Sequence, residues 1–188
     1  MSDLVALFAR AVDEFARRLE KVGAEQWSGP TPDTEWDVRA LVNHIVVEDL
    51  WAPPLLDGRT LAEVGDRFDG DQLGDEPLAT WQRASAGALA AVGEAGALER
   101  IVHVSFGDIS GSEYVSQLTC DHLIHAWDLA RAIGADEQLD AELVEFASGY
   151  LAPKVGAWRS AGVFGPRVDV PAEADRQTLL LALTGRRP

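Results

Sequence analysis

Asp121 and His125 stand four residues apart in the middle of an otherwise apolar stripe within the stretch Gly111 to Gly134. An α-helix turns about 100° per residue. Tyr114, Leu118, Asp121, His125, Asp128 and Ala132 therefore share one side. A side with Tyr, Leu and Ala above and below should face a core. A carboxylate or imidazole placed there is costly unless it is paired, hydrogen-bonded or bound to a metal. Side chains four apart reach one point, which is what a divalent ion asks of two ligands on one helix. A buried Asp-His hydrogen-bonded pair makes the same pattern, so the third ligand has to come from elsewhere.

His44 is the candidate for that ligand. A helical wheel sets it near Leu41, Ile45 and Glu48, beside an apolar face. A lone His in such a place is as a rule a satisfied core residue. Taken with Asp121 and His125, it completes a set of two imidazoles and one carboxylate from two helices. Three N/O ligands with open positions suit a catalytic ion rather than a closed structural one. The open positions would hold water, polarise a substrate or lower the pKa of a thiol. Glu48, four residues on, is a fourth ligand, an acceptor behind one, or a solvated acid. Asp128 is placed to orient an imidazole N–H or to bond a neighbouring element.

The other chemistry-bearing residues carry weaker readings. His122 is expected to point away from Asp121 toward solvent, and His103 to sit on a strand in a structural or site role. Cys120 lies about 100° round the helix from Asp121. It reads as a small core residue, with no Lys or Arg nearby to activate it. Trp36, Trp51, Trp81 and Trp127 read as core and interface mass. The sequence has no GxGxxG, no P-loop, no GxSxG and no HExxH.

The elements that position these residues are legible from periodicity. Leu4, Leu7, Phe8, Ala11, Phe15, Leu19 and Val22 predict an amphipathic helix over 3–22, capped by Ser2 or Asp3 and ended by Gly23. Asp37 is the expected cap of a second helix from Val38 to Trp51, stopped by Pro53-Pro54. Residues 52–76 predict a crossing connection with a short helix near Leu61 to Gly65. Pro77 opens a third helix that runs to about Gly96. RIVHVSF, residues 100–106, alternates and is β-branched, as a short strand would be; Gly107-Asp108 then turns into the long helix ending at Gly134. A further helix is expected over 140–160, a possible strand over Val168 to Val170, and a last helix over 174–184. The fold expected is all-α: a four-helix bundle with a long crossover between its second and third helices, extra C-terminal helices and at most one short strand pair, all in a single domain over 1–188.

Composition limits the function. The chain of 188 residues is long enough for a real core. Its net charge of −15 argues against nucleic acid or an anionic membrane as a partner. One cysteine permits no internal disulfide, which fits a reducing, cytoplasmic setting. No apolar run is long enough for a membrane span, and acids inside the first apolar pattern do not suit a signal peptide. The WAPPLL segment is read as an exposed patch suited to a homodimer.

The residues also resemble a known family. TEWDVRALVNHIVVED, the SFGDISG turn, DHLIHAWDLARAIG and the closing LLLALTGRRP are similar to the DinB-like metal-binding superfamily. The closest likeness is to the group holding the mycothiol-dependent maleylpyruvate isomerase N-terminal domain. That resemblance implies a divalent ion, often zinc (nickel or another transition metal being alternatives), held by His44, Asp121 and His125. It further implies a low-molecular-weight thiol such as mycothiol, and transferase or isomerase chemistry on an electrophilic small molecule. The family commonly has Glu at the acid position; Asp121 is one methylene shorter. The isomerase carries a second, C-terminal domain, so maleylpyruvate isomerisation itself is not expected of this sequence. Two alternatives stay open at this point: a non-catalytic metal- or ligand-binding bundle with a vestigial site, and a buried hydrogen-bond network that holds the bundle together.

Overall fold

A computed structural model describes residues 3–188. The chain is mostly helical, and four of its helices form the bundle: α1 (Leu4–Leu19), α2 (Val38–Leu56), α4 (Pro77–Val92) and α5 (Gly111–Ile133). A four-residue helix, α3 (Leu61–Val64), sits in the α2–α4 connection. After the bundle come α6 (Ala141–Leu151), α7 (Val155–Ser160) and α8 (Arg176–Leu183). No helix among the described residues is long and apolar enough to cross a membrane.

The apolar stripes set the packing. Phe8, Ala11 and Phe15 of α1 are fully buried, as are Leu41, Val42, Ile45 and Val46 of α2 and Leu123, Ala126 and Leu129 of α5. Asp3 caps α1 by accepting from the Val5 amide, and Asp37 caps α2 by accepting from Ala40; Ser2 lies outside the described residues. Pro77 takes the first position of α4, where a missing N–H costs nothing. Gly134 closes α5 in the left-handed region, φ 69°.

The crossover follows from where the connecting chain runs. Leaving α2 at Leu56, it returns along the helix. Asn43 donates to Gly70 O and accepts from the Gln72 amide, and Arg39 bonds Asp71 and Gly74 O near the start of α2. Gly74 lies just before α4, so α4 begins beside the start of α2, and Gly87 near its far end lies by Pro53. These two neighbours are therefore parallel, which only a long return connection permits. Against α5, in contrast, α2 is antiparallel: His44 lies by Asp121 and His125, and Asp49 by His122.

Several local expectations are corrected. The Pro53-Pro54 pair does not stop α2, which continues to Leu56; the prolines forgo amide bonds in the last turn, but the Asp57 and Arg59 amides still bond their carbonyls. The third bundle helix ends at Val92, not near Gly96. Gly107–Ser110 is not a plain turn. It pairs as β2 with β1 (Ile101–Val104) in an antiparallel hairpin. Residues 140–160 are two helices broken after Leu151, and Val168 to Val170 is not a strand, although the Val168 amide donates to Ala182 O. The WAPPLL segment is not an exposed patch: Leu55 and Leu56 are buried, and the half-buried Trp51 packs edge-on to Phe68, ring centroids 5.4 Å apart.

The hairpin fixes the start of α5 and hence the register of its polar stripe. Gly111 opens the helix hard against Ala97, where any added Cβ would collide with that residue's carbonyl oxygen. Ser110 then caps the helix by accepting from the Glu113 amide.

Candidate metal centre

The helices α2 and α5 bring His44, Asp121 and His125 to one place, with one ligand atom from each lying within 4.8 Å of the others. His44 Nε2 lies 3.0 Å from Asp121 Oδ2, and His125 Nε2 lies 3.4 Å from Asp121 Oδ1. One carboxylate thus faces two imidazoles through its two oxygens. Burial alone would raise the Asp121 pKa, but His44 and His125 hold it well below the usual carboxylate range. For His125, burial pulls the other way. The Asp121 charge, with hydrogen bonds to Asp121 and Asp128, raises the pKa to about 9.

The His125 ring is fixed from behind. Its Nδ1–H donates to Asp128 Oδ2 at 3.0 Å, which leaves Nε2 directed toward Asp121. Asp128 is fully buried and accepts a second charged partner, Arg186 Nη2, at 2.8 Å. Burial raises the Asp128 pKa, but the His125 hydrogen bond and the Arg186 charge outweigh it and keep the group ionised. Of these two contacts, the one to His125 follows from α5 spacing. Arg186 is missed by sequence reasoning, because it lies 58 residues further on in a tail with no periodic signal.

The reading of Trp36 is corrected. It is not simply core mass: its ring lies 4.8 Å from that of His44 and 5.5 Å from that of His125, covering both imidazoles from the loop before α2. His122 is a correction. It does not face solvent but is fully buried, between the edges of Phe8 and Phe15. Its Nδ1–H donates to Leu118 O at 2.9 Å, and its Nε2 lies 3.2 Å from Asp49 Oδ1, also fully buried. Burial lowers the His122 pKa, but the Asp49 charge and these bonds raise it overall. The pair ties α2 to α5 in the bundle core, away from the cavity.

The remaining candidates separate clearly. His103 pairs with Asp108 across the hairpin at 2.6 Å, a contact within the two strands rather than with the cluster. Cys120 is buried, and burial pushes its thiol pKa up, away from the thiolate form that a nucleophile needs. Glu48 is half-buried rather than solvated, and burial together with the Asp121 charge raises its pKa.

The cluster forms part of the wall of a cavity of about 520 Å³. Trp36, Ile124, Trp158 and Phe164 supply apolar wall, and the strongly exposed Phe106 and Val163 stand at its mouth. The donor set suits a divalent transition ion: two imidazole nitrogens and a carboxylate oxygen, one imidazole oriented by a buried acid, beside a space for a small molecule.

The family model described as the mycothiol maleylpyruvate isomerase N-terminal domain matches residues 8–130. Uncharacterized proteins from two strains of Mycobacterium tuberculosis, CDC 1551 / Oshkosh and H37Rv, are each 32% identical over 183 residues, covering 94% of this chain and 94% of theirs. No solved structure matches the chain significantly.

Proposed function

The chain belongs to the mycothiol maleylpyruvate isomerase N-terminal domain family of the DinB-like superfamily, and from that footing we propose that it is a divalent-metal-dependent enzyme of thiol chemistry. Its co-substrate would be a low-molecular-weight thiol of the mycothiol type, its substrate an electrophilic small molecule, and its setting the cytoplasm. His44, Asp121 and His125 would hold the ion, with zinc the first choice. The observation that carries the reading is the meeting of these three side chains at the wall of an apolar-mouthed cavity. An ion there would supply Lewis acidity, which lowers the pKa of a thiol or of water.

The chain's own residues contribute the rest. Asp128 holds the His125 proton on Nδ1 and so makes Nε2 the nitrogen turned toward the cluster, able to bind an ion once its own proton has left. Trp36 packs over both imidazoles and limits their rotation. The apolar wall excludes water from the electrophile, which protects it from hydrolysis and strengthens the electrostatics of the cluster. Asp121 bridging two imidazoles is itself a satisfied polar network, and this favours a second reading, a buried hydrogen-bond network that holds the bundle together.

The test is thiol-dependent consumption of monobromobimane in the presence of mycothiol, with zinc-loaded protein, chelator-treated protein and His44→Ala. Turnover above the spontaneous rate, lost on chelation and in the variant, is the expected result. A rate equal to the spontaneous one with fully loaded protein sinks the enzyme reading.

A further inference from the structure

Along α5 from Tyr114 to Ala130, Gln117 and Asp121 are the residues that are not buried, and both line the cavity. Side chains four apart stack on one side of a helix. Gln117 therefore turns into the cavity one turn before Asp121, about 6 Å away along the axis. It is a neutral polar side chain at the cavity surface, beside the cluster and outside it.

A network behind the wall orients its amide. Tyr150 of α6 gives its hydroxyl hydrogen to Glu113 Oε1 at 2.7 Å. Glu113 is held in turn by Lys154 Nζ at 3.2 Å, and that ammonium lies 4.0 Å from the centroid of the Tyr150 ring. The phenol oxygen has thus spent its one hydrogen and is left as an acceptor. Gln117 bonds it as a donor. The amide nitrogen is then the end directed at α6. The carbonyl oxygen and the second N–H have no partner among the described residues and are left to the cavity.

The rest of the wall handles charge. Asp33, Glu48 and Asp121 supply negative charge, and the His125 imidazole and Arg186 supply positive charge. Gln117 offers neither sign. It presents one acceptor and one donor in a single plane, and the group that matches both at once is another amide. A thiol built on cysteine through an amide linkage carries such a group a few bonds from its sulfur, a reach comparable with the one-turn offset between Gln117 and Asp121.

We propose that Gln117 is a specificity-determining residue that pairs, through its side-chain carbonyl and N–H, with the amide of a cysteine-derived thiol whose sulfur is directed at the His44–Asp121–His125 cluster. The proposal rests on the thiol reading above and adds which part of the co-substrate this face of α5 reads. Tyr150 acts through Gln117 as a positioning residue.

The test titrates zinc-loaded protein calorimetrically with N-acetylcysteamine and with 4-methylpentane-1-thiol, which has the same shape with hydrocarbon in place of the amide. The quantity read is the ratio of the two dissociation constants, in which whatever the sulfur contributes cancels. In Gln117→Leu the ratio should shift against the amide by roughly fivefold or more, the value of one hydrogen bond, with the hydrocarbon thiol bound no more weakly than by wild type. Tyr150→Phe keeps Gln117 but removes the oxygen that orients it, and a smaller shift in the same direction is expected. A wild-type ratio in Gln117→Leu, including an equal loss for both thiols, overturns the proposal and leaves the thiol reading standing. Binding of neither thiol to wild type overturns both.

Discussion

Replacing Asp128 by asparagine separates the roles of a single buried charge. The side chain keeps its volume, but the carboxylate facing His125 Nδ1 at 3.0 Å and Arg186 Nη2 at 2.8 Å becomes neutral. On the His125 side, losing the acid that orients a ligating imidazole costs 10- to 100-fold in ion affinity as a rule, or about 1.4–2.7 kcal/mol. On the Arg186 side, a guanidinium only 12% exposed loses its counter-charge. Breaking a buried pair costs about 3–5 kcal/mol; asparagine can still accept one bond, so about 3 kcal/mol is the working figure. For a chain of this size that lowers the melting temperature by roughly 6–12 °C. Zinc competition against a chromophoric chelator reads the first effect, and calorimetry of chelator-treated protein reads the second. The double variant Asp128→Asn/Arg186→Met should recover most of the melting temperature, because the unpaired cation is gone, without recovering the zinc affinity. Wild-type zinc affinity in Asp128→Asn, with the melting loss intact, would refute the orienting role and leave Asp128 as a partner of Arg186 alone.

Other perturbations follow from the same structure. The folded pKa of His125, about 9 against an ordinary 6.5, gives the metal-free fold a contribution that is fully present below pH 6.5. It is lost as pH rises through 9 and amounts to ~3 kcal/mol; urea melts across that window should show the decline. Since the same Nε2 must shed its proton to bind an ion, apparent zinc affinity should rise with pH up to about 9, with proton release measurable by calorimetry in buffers of different ionisation heat. His122→Ala leaves the fully buried Asp49 without its counterpart. A loss of about 3–5 kcal/mol in urea melts is expected, with zinc stoichiometry unchanged; loss of zinc with little change in stability would place His122 in the site. Gly111→Ala drives a methyl group into the Ala97 carbonyl and should cost about 1–3 kcal/mol by overpacking, read as a lowered denaturation midpoint.

What the sequence made legible was local. The 3.6-residue period of α5 is enough to put Asp121, His125 and Asp128 on one side, and α2 periodicity places His44 beside an apolar face. Asn43, Gly70 and Gln72 show why the crossover was readable only as a length: their bonds run between a helix and a loop about 27 residues away. Arg186 escaped notice, and Trp36 was read only as core and interface mass, for the same reason, since each reaches the cluster from an irregular segment. His122 was misread because its partner, Asp49, lies on another helix; a wheel drawn for α5 alone cannot show that a second apolar-looking side exists there. Pro53-Pro54 misled because a proline removes only its own amide bond: the carbonyls of both still accept from Asp57 and Arg59, and the helix runs on to Leu56.

The claim under everything else is that two imidazoles and one carboxylate from α2 and α5 share one ion. It is tested most directly by metal analysis of the purified protein by mass spectrometry, together with a crystallographic anomalous-difference map. The expected result is one divalent ion per chain, with its peak between His44 Nε2, the Asp121 carboxylate and His125 Nε2, and no peak there in His44→Ala. A wild-type protein that takes up neither zinc nor nickel at this point when offered them, or an ion seated elsewhere, would contradict it.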